Sequence, residues 1–257
     1  MTDYLLFTFA APLASFGALA VGERRPIWNR PSKSQIIGLV AGCLGIERGE
    51  EARQQALADG LGFAVRIDAP GQLASDYHTA QTPKEVSIRR RTKTHGPLRT
   101  RSDELACDDL KTILSQREFI AGSFHTIALW RGGDTAPTLA SMSAALERPV
   151  FAPFAGRKAH PLMLPMAPQT IHAATIEKAF ALFDTGMTAF AQDIRQGCIN
   201  GSRVGGQIFT DIAAIPEGER KSRISRYEER RDRPESRAKW RFGLRAEALL
   251  QPAEAGT

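Results

Sequence analysis

The residues best equipped for chemistry lie in one stretch, "DYHTAQTPKEVSIRRRTKTHGPLRTRSDE", residues 76–104. Its cations are Lys84, Arg89, Arg90, Arg91, Lys93, Arg99 and Arg101, with Thr94 adding a hydroxyl. Such groups suit phosphate oxygens, which supply most sequence-independent affinity for nucleic acid. Large apolar side chains are nearly missing; Val86, Ile88 and Leu98 are almost the only ones. A connection of this length is usually functional or disordered. The segments "VSIRRRT" and "LRTRS" are expected to pair as two arms, with His95-Gly96-Pro97 near the tip. That would make a protruding basic hairpin able to grip a strand of RNA. His95, or Tyr77 with His78, beside a lysine, is also a candidate for general acid–base RNA cleavage. The plainer alternative is an exposed or hydrogen-bonded histidine.

Two other places add cations. In "FAGRKAHPL", Gly156 permits close backbone approach, and Arg157 and Lys158 follow at once. In "RRPIWNRPSKSQ", Arg24, Arg25 and Lys33 adjoin a predicted helix N-terminus, which attracts anions. Singly, each reads as a solvated charge. Together, and with a formal net charge of +6, they point to a polyanionic partner.

Other chemistries lack their residues. There is no Walker A loop, no G-x-G-x-x-G after a strand, no G-x-S-x-G elbow and no H-E-x-x-H. "GCINGSRVGG" carries Gly197, Gly201, Gly205 and Gly206, but without a P-loop lysine it reads as a turn. His78, His95, His125, His160 and His172 are scattered, so no metal site is expected and no cofactor is implied. Cys43, Cys107 and Cys198 show no C-x-x-C spacing and read as reduced thiols. The uncharged run Tyr4–Gly22 follows Met1, Thr2 and Asp3 rather than a basic region, so it does not read as a signal peptide. It is expected to hold a short strand, Tyr4–Phe9, and then a loop. No segment is expected to span a membrane, and a cytoplasmic location is expected.

These groups must be positioned by regular elements. Ser32 is the expected N-cap of a helix running to about Leu44, with Ile36, Ile37, Val40 and Leu44 on one face. Gly38 and Gly42 are expected to permit close packing of that helix on a sheet. "EEARQQALADGLG" reads as a helix ending at Gly60 or Gly62, and "FAVRIDAPG" as a strand. Glu118–Trp130 reads as a strand bulged at Gly122. "TLASMSAALERP" reads as a helix stopped by Pro149, and "FAGRKAHPLMLP" as a turn leading into an extended piece. This is an α+β order, βαββαβ, with a long insertion between the middle strands, as in ferredoxin-like (RRM-like) folds, a common RNA platform. Beyond it, "TIEKAFALFDTG" reads as a helix and "GQIFTDIAAI" as a strand. "ISRY" and "KWRFGLRAEAL" read as a hairpin with one wet face.

The pieces "LLFTFAAPLASFG", "RRPIWNRPSKSQIIGLVAGCLGI", "DYHTAQ", "REFIAGSFHTIAL" and "FAGRKAHPL" occur in an order that resembles the fifth CRISPR-associated protein family. That family belongs to the RAMP superfamily, and the likeness is to its type I-E Cascade branch. It covers roughly residues 4–165; "RDRPESRAKWRFGLR" is similar, less specifically. The resemblance implies a ferredoxin-like RAMP domain over 1–165 with a β-hairpin thumb at about 76–117. Residues 166–257 would form a smaller β-rich C-terminal extension with a helix and a hairpin. It implies a non-catalytic RNA-binding subunit that holds the repeat-derived 5′ handle of the CRISPR RNA and caps the backbone of an antiviral complex. The implied partners are the backbone subunit CasC, the large subunit CasA and, through the complex, target DNA. The expected RNA contacts are Arg24, Arg25, Lys33, Arg89, Arg90, Arg91, Lys93, Arg99, Arg101, Arg157 and Lys158. In the type I-C branch the equivalent protein is a metal-independent endoribonuclease that processes the precursor RNA, and that activity is the alternative here.

Overall fold

A computed structural model describes residues 1–199, 206–236, 239 and 241–251. In chain order its first elements are β1 (Thr2–Ala14), β2 (Phe16–Gly17), β3 (Arg24–Arg25), β4 (Ile27–Trp28), α1 (Lys33–Cys43) and α2 (Glu51–Gly60). Then come β5 (Leu61–Ala69), β6 (Gln72–Pro83), α3 (Glu85–His95), α4 (Arg101–Leu105) and β7 (Leu110–Arg131). The remainder comprises α5 (Leu139–Glu147), β8 (Gln169–Ala173), α6 (Ile176–Thr185), α7 (Ala189–Ile199), β9 (Gln207–Asp211), β10 (Ile224–Ser236) and β11 (Arg241–Leu250). The chain divides into two compact units. One comprises Met1–Phe16, Trp28–Leu73 and Ile120–Thr257, and the other Gly17–Ile27 with Ala74–Phe119.

The first unit is built on a sheet ordered β10-β11-β9-β5-β7-β1-β8, in which neighbouring strands run antiparallel. Tyr4, Leu6 and Ala10 of β1 join Ile176, Ala179, Phe180 and Phe183 of α6 in one core. Leu5, Phe7 and Phe9, on the opposite face, are buried as well. A strand covered on both faces is buried along its length, as β5 is, with its two charged residues, Arg66 and Asp68, buried as well. β1 continues past Pro12, where the expected strand had ended. Ala11 pairs with Ser123 and Leu13 with Ala121, so the proline, which has no N–H to donate, falls opposite Gly122, whose φ is +69°. A bulge was expected at Gly122; the β1–β7 register instead runs on unchanged through this point, and only the left-handed φ marks it.

The α1 boundary follows its chemistry. Ser32 caps the helix, accepting from the Gln35 amide while the Gln35 side chain accepts from the Ser32 amide, a reciprocal capping box. Close packing does not explain Gly42, since a Cβ there would meet no atom within 4 Å. The strand after α5 is β8, not the stretch expected at 154–165, which holds only an isolated bridge between Phe154 and Pro161. α7 was not anticipated. β9 and the β10–β11 hairpin form where strands were expected and extend the same sheet.

In the second unit, β6 and β3 both pair with β7. Arg24 and Arg25 lie beside Gln116 and Arg117 in parallel register. The expected hairpin arms are helices instead. "VSIRRRT" lies in α3, which gains an i,i+4 pair between Glu85 and Arg89 and ends at Gly96 with φ +83°. "LRTRS" turns into α4, whose Thr100 and Asp103 form a second capping box. Local caps and the i,i+4 pair favour helix over the expected strand arms. Between Ala74 and Phe119 only Pro83, Ser87 and Cys107 are buried, so polar bonds do much of the holding. The Lys84 amide donates to the Asp109 carbonyl at 3.1 Å, the Asp109 amide to Ser87 Oγ at 3.3 Å, and Arg91 to the Ala106 carbonyl at 3.1 Å.

Among the described residues, no helix is long and apolar enough to cross a membrane.

Candidate nucleic-acid interface

Arg24, Arg25, Arg89, Arg90, Arg91, Lys93, Arg99 and Arg101 all belong to the second unit. Most are exposed, yet several have carboxylate neighbours. Arg89 pairs with Glu85, Arg101 with Glu104 at 2.6 Å, Arg90 with Asp108 at 3.7 Å and Arg24 with Glu118 at 3.5 Å. Exposed pairs of this kind contribute about 0–1 kcal/mol, so a phosphate can displace the carboxylate at little cost. Arg25 donates to the Gly22 and Arg24 carbonyls. Lys93 and Arg99 are exposed and flank the Gly96 turn, and neither makes an ion pair among the described residues. Arg91 is half-buried, with its guanidinium on a carbonyl.

Lys33 has a different role. Its ammonium sits 2.9 Å from Asp211, and its amide, at the first turn of α1, donates to Asp232 at 2.9 Å. The anion attracted by that helix N-terminus is therefore the protein's own carboxylate. Lys33 is the edge of a buried network that the sequence did not reveal. Arg30 is 2% exposed and Glu247 0%. Arg30 donates to Glu247 through Nε at 3.1 Å and Nη2 at 2.5 Å and to Glu228 at 2.5 Å. Arg245 donates to Asp232, Asp211 and Glu247 at 2.7–2.8 Å. Arg230 donates to the Pro31 carbonyl at 3.3 Å and lies 3.7 Å from Glu247. Four cations, Arg30, Lys33, Arg230 and Arg245, thus face four carboxylates, Asp211, Glu228, Asp232 and Glu247. Burial alone would push the Glu247 carboxyl up, but Arg245, Arg30 and Arg230 hold it below the ordinary range.

The network fixes residues 28–33. Arg30 stacks 3.5 Å over the Phe209 ring, and Arg230 lies 4.8 Å over Trp28. His125 Nε2, 3.1 Å from the Asn29 carbonyl, must carry the proton there, because a carbonyl only accepts. Burial pushes His125 down to about 4. A second neutral cluster joins β5 to α6 and α7. Arg66 meets Asp68 at 2.8 Å and Asp184 at 2.7 Å, Thr126 donates to Asp68 at 2.7 Å, and Arg195 meets Asp184 at 2.6 Å.

Arg157 and Lys158 belong to a closed loop. The Ala155 amide donates to the His160 carbonyl at 2.8 Å and the His160 amide to the Arg157 carbonyl at 2.9 Å. Gly156 has φ +85°, and a Cβ there would lie 1.9 Å from the Ser15 carbonyl oxygen. The close approach expected of this glycine is to the chain's own backbone. Lys158 is exposed and Arg157 half-buried.

His95 is exposed at the end of α3. Tyr77 is 67% exposed, and His78 lies 3.8 Å from Asp76. Among the described residues no cluster of His, Cys, Asp and Glu could hold a metal ion. Of the glycine-rich stretch, Gly201 and Gly205 lie outside the described residues.

The sequence and the fold both match a known class. The family model described as CRISPR-associated protein (Cas_Cas5) matches residues 4–246, and the chain belongs to that family. It is similar to the CRISPR system Cascade subunit CasD of Escherichia coli (strain K12), 29% identical over 184 residues, covering 72% of this chain and 78% of CasD. It is also similar to a chain of a solved CRISPR RNA-guided surveillance complex. The TM-score is 0.56 at 19% identity, over 97% of this chain and 91% of that one. A structure described as a Cas protein matches with a TM-score of 0.52 at 19% identity, over 96% and 94%. These structures share the mixed α+β fold with its large antiparallel sheet.

Proposed function

We propose that this chain is a CasD-type subunit of a type I-E Cascade complex, acting in CRISPR antiviral defence in the cytoplasm. It binds the repeat-derived 5′ handle of the CRISPR RNA, caps the backbone beside CasC and CasA, and meets target DNA only through the complex. It is not itself a nuclease. Its ferredoxin-like RAMP core is β1, β5, β7 and β8, and the inserted unit is the thumb. The observation that carries this reading is the grouping of eight expected RNA-contact cations in one unit whose own core is minimal. A segment so built gains more from binding a polyanion than from folding on itself.

Lys93 and Arg99 lead the phosphate contacts, with Arg24, Arg25, Arg89, Arg90 and Arg101 exchanging carboxylates for phosphates. Arg91, Arg157 and Lys158 contribute further contacts. Lys33 supports the fold around residues 28–33 and is withdrawn from the RNA surface.

The test is end-labelled repeat RNA incubated with the purified chain in chelator. An intact RNA, shifted on a native gel, is expected, with an affinity that falls steeply with salt. RNA shortened at one defined site would overturn the non-catalytic reading and make the chain the processing endoribonuclease, with His95 the first residue to replace.

A further inference from the structure

Three large apolar side chains stand exposed within five residues of the first unit: Val150 at 65%, Phe151 at 47% and Phe154 at 37%. Isolated exposed apolar residues are ordinary, but a cluster on fixed backbone marks a contact surface. This backbone is fixed. The Val150 and Phe151 amides donate to the Cys43 and Gly42 carbonyls at 3.0 and 3.2 Å. Phe154 opens the loop that its bridge to Pro161 closes, and Gly156 locks that loop onto the Ser15 backbone. Lys158, in the same loop, is exposed, as is Arg148 just ahead of the rings.

Charge separates the possible partners. From Arg148 to Ile176 the chain has no aspartate and no glutamate. The second unit differs, since Glu85, Glu104 and Asp108 face its arginines. Two exposed rings bracketed by exposed cations, with Glu147 beside Arg148 as the one adjoining carboxylate, fit a polyanion that also offers flat apolar faces. A neutral or basic protein surface would satisfy the rings and leave the cations unmatched.

We propose that Phe151 and Phe154 are stacking platforms for unpaired bases of single-stranded RNA, with Lys158 and Arg148 meeting the adjoining phosphates. The proposal rests on the RNA-binding reading above and supplies the base contacts which that reading lacks. Three residues of extended chain span about 10 Å at most, so the two rings serve bases of one short run. Stacking tolerates any base, because each has a π face. This site therefore adds affinity for an unpaired strand without reading its sequence.

The experiment uses the full chain with a labelled single-stranded octaadenylate and the same octamer made abasic throughout. Phe151→Ala and Phe154→Ala are each expected to weaken binding of octaadenylate roughly 5- to 100-fold at fixed salt. Affinity for the abasic octamer should not change, nor should the salt dependence. Phe151→Trp should retain affinity, and its fluorescence should be quenched by octaadenylate. Each ring is partly covered, Phe151 being 47% and Phe154 37% exposed, so a modest fall in melting temperature is expected, and retained binding of the abasic octamer controls for folding. Equal loss on both octamers, or no loss on either, overturns the stacking proposal. If binding also responds to Lys158→Glu, the RNA-binding reading survives that failure. If the alanine variants bind RNA normally but no longer assemble with protein partners, the patch is a protein interface. A wild-type chain that binds neither octamer nor repeat RNA overturns both readings.

Discussion

Replacing Glu247 with glutamine isolates the contribution of the buried charge network. The carboxylate is fully buried and lies between three guanidiniums, Arg30 at 2.5 Å, Arg245 at 2.8 Å and Arg230 at 3.7 Å. Glutamine keeps the shape and one acceptor but removes the charge, so a balanced network acquires one uncompensated buried cation. Breaking a buried pair by removing one partner costs about 3–5 kcal/mol. At 2–4 °C per kcal/mol for a chain of this size, the melting temperature should fall by roughly 6–20 °C. The comparison variant is Glu85→Gln, whose pair with Arg89 is about three-quarters exposed on both sides. That substitution should cost under about 0.5 kcal/mol. Urea denaturation of both variants supplies the two free energies directly. A second arm uses Arg230→Met with Glu247→Gln, which restores neutrality. The double variant should lose less than the sum of the singles. If Glu247→Gln costs no more than Glu85→Gln, or if the double variant is strictly additive, the network does not act as a charge-balanced unit and the reasoning fails.

Other outcomes follow from single groups. His125 is held neutral with its pKa lowered from 6.5 to about 4, so the unfolded chain binds a proton that the native state refuses. Stability should be independent of this group above pH 6.5 and fall by about 3 kcal/mol as pH drops from 6.5 to 4. Urea titrations over that range check it, and His125→Gln should flatten the profile. Gly156→Ala should cost about 2 kcal/mol in thermal unfolding, because a left-handed φ and the Ser15 carbonyl both oppose the methyl group. Lys93→Ala and Arg99→Ala should each reduce the slope of log affinity for repeat RNA against log salt by about 0.7. Trypsin should cut first between Lys84 and Lys111, where little is buried, and repeat RNA should slow that cut.

Local chemistry with a short range was legible in the sequence. The Ser32 cap and the β10–β11 hairpin each depend on a few adjacent residues, and each was read at the correct place. The arms of the inserted unit were misread because "VSIRRRT" alone does not separate a strand from a helix. The caps at Gly96 and Thr100, with the Glu85–Arg89 pair, decide between them. Lys33 was misread for a different reason. Its partners, Asp211 and Asp232, lie 178 and 199 positions away, and no local pattern announces an ion pair of that separation. A cation one residue after an N-cap looks the same whether it faces solvent or a carboxylate.

The same ambiguity explains the dense charge of the tail. One wet face was expected from "ISRY" and "KWRFGLRAEAL"; in "YEERRDRPES", between them, the dry face carries Arg230, Asp232 and Pro234. Arginine and aspartate can line an interior when each is matched, and here the match is made across β9, β11 and α1 rather than within the strand. Arg230 and Arg245 are therefore spent inside the protein, while Arg231, Arg233 and Arg241 stand exposed on the wet face. By contrast, Lys93 and Arg99 stand in a segment with several carboxylates yet remain unpaired among the described residues, and Lys158 stands in a segment with none. What marks a cation as a candidate for phosphate is thus not how many neighbours share its sign. It is whether the fold has already supplied its counter-charge, and that can be decided only once strands distant in sequence lie side by side.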